Sequence, residues 1–254
     1  MGIIKYPLDV NSKLFNNVRA VPSNFINRSP LLDHLVAYYK LDGNSNDVTG
    51  NGYNGTDTAI TYGTSYGKIN QGALFNGSSS RILLGSTSSL VMNSNISVSV
   101  WIKPSALPTS GTLMTIVGKY SDSTGNGGYD LRLYNNSGTQ EIDFTITTSA
   151  GTSASAAYKY ALPLGTWYHL VGTNDGTTSS LYLNGILVAA VAIGNPALST
   201  GSTPNIGCLD LVGTLMRFFN GSIDEVGVWN RALTSSEVSQ LYNNGGAGIQ
   251  YPFY

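Results

Sequence analysis

Between residues 35 and 230, short runs that alternate apolar and polar side chains recur, each ended by Gly, Asn, Ser or Pro. In ISVSVWI, Ile96, Val98, Val100 and Ile102 share one side while Ser97, Ser99 and Trp101 share the other, the period of a strand with two unlike faces. About ten such runs, among them LVAYYKL, YDLRLYN, EIDFTITT and WYHLVGTN, leave room for one helix. That helix is TSSEVSQLY, where Thr234 and Glu237 have the spacing of a capping box. Asn184-Gly185 between two apolar runs predicts a two-residue hairpin turn. A chain patterned in this way is predicted to be all-β, an antiparallel sandwich of two sheets with one short C-terminal helix. At 254 residues it has the length of one large sandwich.

Charge excludes several functions. Only 11% of residues are charged, the net charge is −1 and no run of like charge occurs, so a nucleic-acid or membrane-surface partner held by charge is not expected. No apolar run reaches the length of a membrane span, and the start lacks a basic segment followed by an apolar one. The expectation is a chain made in the cytoplasm without a classical export signal. Cys208 is the single cysteine, so an intrachain disulfide is excluded and the fold must stand on its core or on a metal. Residues 1–34 carry isolated apolar side chains, such as Ile3, Leu8, Phe15 and Phe25, at the period of neither helix nor strand. They are too apolar for a solvated linker and read as an extended arm lying on a partner or on its own domain. Residues 245–254 form an aromatic tail ending in GIQYPFY.

Five segments in register, YYKLDGNSNDVTGNGYNG, QGALFNGSSSRILL, ISVSVWIKP, GTWYHLVGTNDGTTSSLYLNG and NGSIDEVGVWNRALTSSEVSQLY, resemble the laminin G-like, concanavalin A-like lectin/glucanase domains. The resemblance implies a jelly roll over residues 35–244, with one sheet concave, used mostly for binding glycans or proteins. An arm, an adhesin-type domain and an aromatic tail without an export signal also resemble bacteriophage virion appendages and head decorations. This implies a non-catalytic lectin-like module on a virion or particle surface, fixed by residues 1–34, multimeric through the assembly, and binding a glycan or host surface. The alternatives are an extracellular or cell-surface location, and a purely structural role with no glycan ligand.

LDGNSNDVTGNGYNGT, residues 41–56, gathers carboxylates, amides and glycines. It is not an EF-hand, since Asp47 stands where that loop needs Gly and Tyr53 where it needs Glu. It is not a phosphate loop, since no Gly-Lys-Ser/Thr follows. Hard oxygens on an irregular turn suit Ca²⁺. In the domains this chain resembles, calcium is often held where the first strand's loop meets the last strand. The resemblance thus implies a structural Ca²⁺ on Asp42, Asp47 and Asp224, with an oxygen from Asn51 or a nearby carbonyl. The alternative is that these residues only make Asx-turns.

For a ligand, Tyr120, Tyr129, Arg132 and Tyr134 on the concave sheet offer stacking and hydrogen bonding to sugars. EIDFTI resembles the E-x-D-x-x-E strand of family 16 glycoside hydrolases, but Thr145 or Ile146 occupies the place of the general acid. Hydrolysis by that route needs two carboxyl groups, so Glu141 and Asp143 read as the polar side of a strand whose Ile142, Phe144 and Ile146 point inward. His34 and His169 are the only histidines, too few for a zinc site. The chain is expected not to be an enzyme. Trp101, Trp167 and Trp229 are assigned to the core.

Overall fold

The computed structural model describes residues 29–86, 88, 90, 95–120, 127–196 and 202–253. In chain order its strands are β1 (Leu35–Tyr39), β2 (Gly55–Thr58), β3 (Thr61–Gly63), β4 (Gly72–Asn76), β5 (Arg81–Leu84), β6 (Ile96–Pro104), β7 (Leu113–Tyr120), β8 (Gly128–Asn136) and β9 (Thr139–Thr147). There follow β10 (Ser153–Lys159), β11 (Tyr168–Asn174), β12 (Thr178–Leu183), β13 (Ile186–Ala192), β14 (Asn205–Ile206), β15 (Leu209–Leu211), β16 (Thr214–Met216), β17 (Asn220–Trp229) and the helix α1 (Ser235–Gly246).

An eight-stranded sheet runs β13-β12-β11-β6-β17-β4-β3, with β1 also on β17, and faces a seven-stranded sheet of order β10-β9-β8-β7-β14-β5-β2. Every strand pairing is antiparallel. The core between the sheets takes the apolar side of each strand, including Ile96, Val98, Val100 and Ile102 of β6 and Ile142, Phe144 and Ile146 of β9. The expected hairpin turn is present, with Asn184 and Gly185 both at positive φ, and Thr234 and Glu237 form the capping box of α1.

A second apolar layer lies outside the eight-stranded sheet. Leu31, Tyr38, Val171, Tyr182, Trp229, Leu233, Val238, Leu241 and Phe253 pack there. This layer moves two expected boundaries. Ser29–Asp33 belong to the domain, because Trp229 Nε1 donates to Leu31 O at 2.7 Å and Arg231 donates to the carbonyls of Pro30 and Asp33. The aromatic tail docks too: Tyr251 and Phe253 pack on Tyr38, and Phe253 is buried. Residues 1–28 of the expected arm lie outside the described residues.

Trp101 and Trp229 are buried as expected. Trp167 is not in the core; it is half-buried beneath the Lys103 ammonium, 5.1 Å from the ring centroid.

Candidate functional site: the outer face of the seven-stranded sheet

Strand register fixes which side chains share this face. Apolar residues of β8 and β9 fill the core side, so their alternates must line the outer side. Across β7, β8, β9 and β10 the pairs give rows: Leu113, Tyr134, Glu141, Lys159; then Thr115, Arg132, Asp143, Ala157; then Gly118, Asp130, Thr145, Ser155. Asn205 of β14 extends the third row beside Gly118. The hairpin β15–β16 ends at Arg217, whose carbonyl accepts from Thr115 N at 2.8 Å and whose guanidinium reaches Asp130.

The face is therefore a polar floor, and a charged one. Arg132 contacts Asp143 at 3.4 Å and Asp130 at 3.5 Å, and Arg217 contacts the same Asp130 oxygen at 3.5 Å. Asp130 and Asp143 are almost fully buried beneath these guanidinium groups. Burial lifts the Asp143 carboxyl to about 6; Arg132 opposes the shift, while Glu141 and Asp130 add to it. Thr145 lies on the same face as Glu141 and Asp143, so the third carboxyl of a hydrolase strand is replaced by a hydroxyl that pairs with Ser155 Oγ at 2.7 Å.

Buried polar atoms in native folds are nearly always hydrogen-bonded. Here Thr115 Oγ1, Asp130 Oδ1, Asp143 Oδ1 and Asn205 Oδ1 are buried on one face without a partner. Each unmet group costs about 1–3 kcal/mol unless ordered water or another hydrogen-bonding group meets it.

Of the expected sugar contacts, Arg132 and Tyr134 stand together on this face, the guanidinium 6.0 Å from the ring centroid. Tyr120 is half-buried and, opposite Gly128, falls on the same side at the end of β7. Tyr129 does not belong to the site. It alternates inward with Leu131 and Leu133 into the core, where burial raises its hydroxyl pKa. Asp130, Arg217, Thr115 and Asn205 were not singled out from sequence. Only Asp130 carried a signal, being two residues from Arg132 on one strand.

The four residues expected to share Ca²⁺ are divided between two places. Asp47 accepts from Tyr38 N, Thr49 N, Thr49 Oγ1 and Tyr53 N, and Asn51 Nδ2 donates to Val36 O. Both residues thus brace the loop against β1, in the Asx-turn manner that was the alternative. Asp42 and Asp224 lie elsewhere, on the turn of residues 67–71: Gln71 N donates to Asp42, and Lys68 N and Ile69 N to Asp224. Glu225, unnoticed in the sequence, joins them, because Gln250 Nε2 donates both to it at 2.7 Å and to Asp42 at 2.9 Å. Burial raises the carboxyls of Asp224 to about 9 and Glu225 to about 8. Asp47 and Asn51 thus share one set of partners on β1 and its loop, and Asp42 and Asp224 another on the turn of residues 67–71. Among the described residues no group of three or more His, Cys, Asp or Glu is placed to hold a metal.

Asp47→Ala is therefore expected to cost about 3 kcal/mol, the loss of several charge-assisted bonds to buried amides, in calcium and in chelator alike. Thermal melts of wild type and variant in both buffers check this. A penalty seen only in calcium would restore Asp47 as a metal ligand.

The chain is thus a two-sheet antiparallel sandwich whose seven-stranded sheet carries a polar, arginine-bridged outer face. The concanavalin A-like lectin/glucanases superfamily model matches residues 76–239, and the chain belongs to that family. Domain 4 of AbnA, an extracellular GH43 arabinanase of Geobacillus stearothermophilus solved with arabinotriose, is 26% identical at a TM-score of 0.60, over 81% of this chain and 96% of that one. The binding domain of Paraclostridial Mosquitocidal Protein 1 is 19% identical at a TM-score of 0.67, over 84% and 53%. The binding domain of botulinum neurotoxin DC, solved with SialylT, is 14% identical at a TM-score of 0.63, over 84% and 52%. This chain spans about half the length of those toxin domains, and they share its fold. The curated proteins give no match. Among the described residues no helix is long and apolar enough to cross a membrane.

Proposed function

We propose that this chain is a non-catalytic carbohydrate-binding module that takes its ligand on the outer face of the seven-stranded sheet. The observation that carries this is the floor of unpartnered buried oxygens beneath Arg132 and Arg217, with Tyr134 beside them. Carboxylates and guanidinium groups bind sugar hydroxyls, and an aromatic ring stacks on the sugar's apolar face. The similarity to an arabinanase domain solved with arabinotriose supports the same class of ligand. Display on a larger assembly, a virion surface above all, belongs to this proposal and rests on the apolar content of residues 1–28. There, many weakly binding copies gain factors of about 10² to 10⁴ in avidity.

A glycan array probed with the monomer and with a multivalent form tests the proposal. The expected result is weak monomer binding, strong multivalent binding, and no release of reducing sugar from β-glucan or agarose. Glu141→Gln should leave the absence of sugar release unchanged. Sugar release that vanishes in this variant would overturn the non-catalytic assignment. Absence of binding even by the multivalent form would leave a structural role.

A further inference from the structure

A concavity borders the outer apolar layer, where the two ends of the domain meet β1. It has a volume of about 380 Å³ and is lined by Leu32, Leu35, Thr49, Asn51 and Tyr251. Leu32 comes from the entry turn and Leu35 opens β1, while Thr49 and Asn51 belong to the loop of residues 41–56 and Tyr251 to the C-terminal tail. None of them lies on the seven-stranded sheet. Contacts elsewhere hold these walls in place. Leu32, Leu35 and Tyr251 are half-buried against the outer layer, and the Tyr251 ring meets Tyr38 and, edge-on, Phe253, each at 5.8 Å between centroids. Asn51 Nδ2 donates to Val36 O at 2.9 Å, which anchors its amide on β1. The volume falls near the lower end of the roughly 300–1,000 Å³ of ligand pockets, room for one ring-sized group.

The hydrogen-bonding balance of the lining selects the ligand. With Nδ2 spent on Val36, Asn51 has Oδ1 left, which can only accept. Thr49 gives its hydroxyl proton to Asp47 Oδ1 at 2.7 Å or to Val36 O at 3.4 Å, so its Oγ1 is left as an acceptor too. Tyr251 adds a hydroxyl that can act either way. None of the five residues is charged. An anion brings acceptors to acceptors and is disfavoured. A metal ion finds no carboxylate, because both oxygens of Asp47 already accept from the backbone of Tyr38, Thr49 and Tyr53. A wholly apolar ligand would leave the acceptors unmet. What fits is a neutral molecule with hydroxyl donors on its rim and a C–H face for the leucines and the tyrosine ring, the two-sided character of a pyranose. We infer that this concavity is a second sugar-binding site, which takes one neutral sugar residue. It shares no residue with the polar sheet face, so it stands whether or not that face binds glycan. Because Tyr251 is part of its wall, it is complete only while the C-terminal tail is docked.

Titration of the whole chain, followed by backbone amide NMR shifts, tells this site from the sheet face residue by residue. The probes are arabinose, glucose, galactose, N-acetylglucosamine and galacturonate. At least one neutral sugar should shift the amides of Leu35, Thr49, Asn51 and Tyr251 with a dissociation constant in the millimolar range, as befits one ring in a small site. Galacturonate should bind there about tenfold or more weakly. Two variants read the site in different ways. Leu32→Trp fills it from a half-buried wall and should lose about tenfold or more. Asn51→Ala removes the acceptor at an exposed position, where the fold tolerates the change, and should lose about threefold to tenfold with little change in melting temperature. No neutral sugar shifting these amides would overturn the site and leave the sheet-face proposal standing. Shifts that persist at full affinity in Asn51→Ala and in a folded Leu32→Trp would overturn it as well. Galacturonate bound as tightly as the neutral sugars would overturn the assignment of a neutral ligand.

Discussion

Trp229→Ala is expected to lower the melting temperature by roughly 8–16 °C, from a loss of about 4 kcal/mol. The ring is fully buried at the end of β17, outside the main core, between the eight-stranded sheet and the segments that cover it. Its indole N–H donates to Leu31 O, and its ring stacks against Phe253 at 6.5 Å between centroids. One side chain therefore clamps the entry of the domain and its C-terminal tail to the same sheet. Alanine removes the packing and orphans the Leu31 carbonyl, whereas Trp229→Phe keeps most of the packing and loses only the bond, at about 1–2 kcal/mol. Melting curves rank the two variants, and proteolysis should cut the alanine variant first near residue 29 and after residue 246. A change below about 2 °C in the alanine variant would show that the outer layer contributes little to the cooperative unit. Binding on the opposite sheet should survive at temperatures where the variant is folded.

The two sheets were legible in the sequence because burial of one strand face imposes a period of two, and that period is written into β6, β8 and β9. The same alternation gives half of the candidate site, since Arg132 and Tyr134 follow from one strand's outward positions. It also warns against Tyr129, which stands at the inward parity of Leu131 and Leu133; its aromatic type, not its register, made it a sugar contact in the sequence. Arg217 and Asn205 could not be found in this way. They reach the face from β14 and a short hairpin far along the chain, and a pairing that brings residue 205 beside residue 118 leaves no local pattern. The loop of residues 41–56 was ambiguous for a different reason. Asx-turns and calcium loops use the same residue types, so only the direction of the backbone amides, here pointing at Asp47, separates them.

His169 should make stability depend on pH in a way that one variant isolates. Its ring is buried on the outside of β11, with Nε2 2.9 Å from Ser99 Oγ and Nδ1 without a partner. It packs in one cluster with Trp101 and Tyr242, which also stack on each other, and Lys68, over the same Trp101 ring, is the charged group that faces it. Burial, reinforced by Lys68, pushes its pKa down to about 3 from the ordinary 6.5. The folded chain then keeps the ring neutral while the unfolded chain takes up a proton below pH 6.5, so the unfolded state binds more protons. The stability is complete above pH 6.5 and is lost as pH falls towards 3. Between pH 7 and pH 4 the loss is on the order of 3 kcal/mol. Asp143, raised to about 6, and Glu225 and Asp224, raised to about 8 and about 9, work in the opposite direction, each favouring the folded state as pH falls through its raised pKa, so the wild-type curve alone mixes all of them. His169→Gln removes the titrating ring and keeps a partner for Ser99. Denaturant unfolding of both proteins from pH 4 to pH 8 should show the wild type losing about 1.4 kcal/mol per pH unit relative to the variant below pH 6. Parallel curves would mean that the ring takes its proton inside the folded protein, and the stacked cluster would then have to open at acidic pH to let it in.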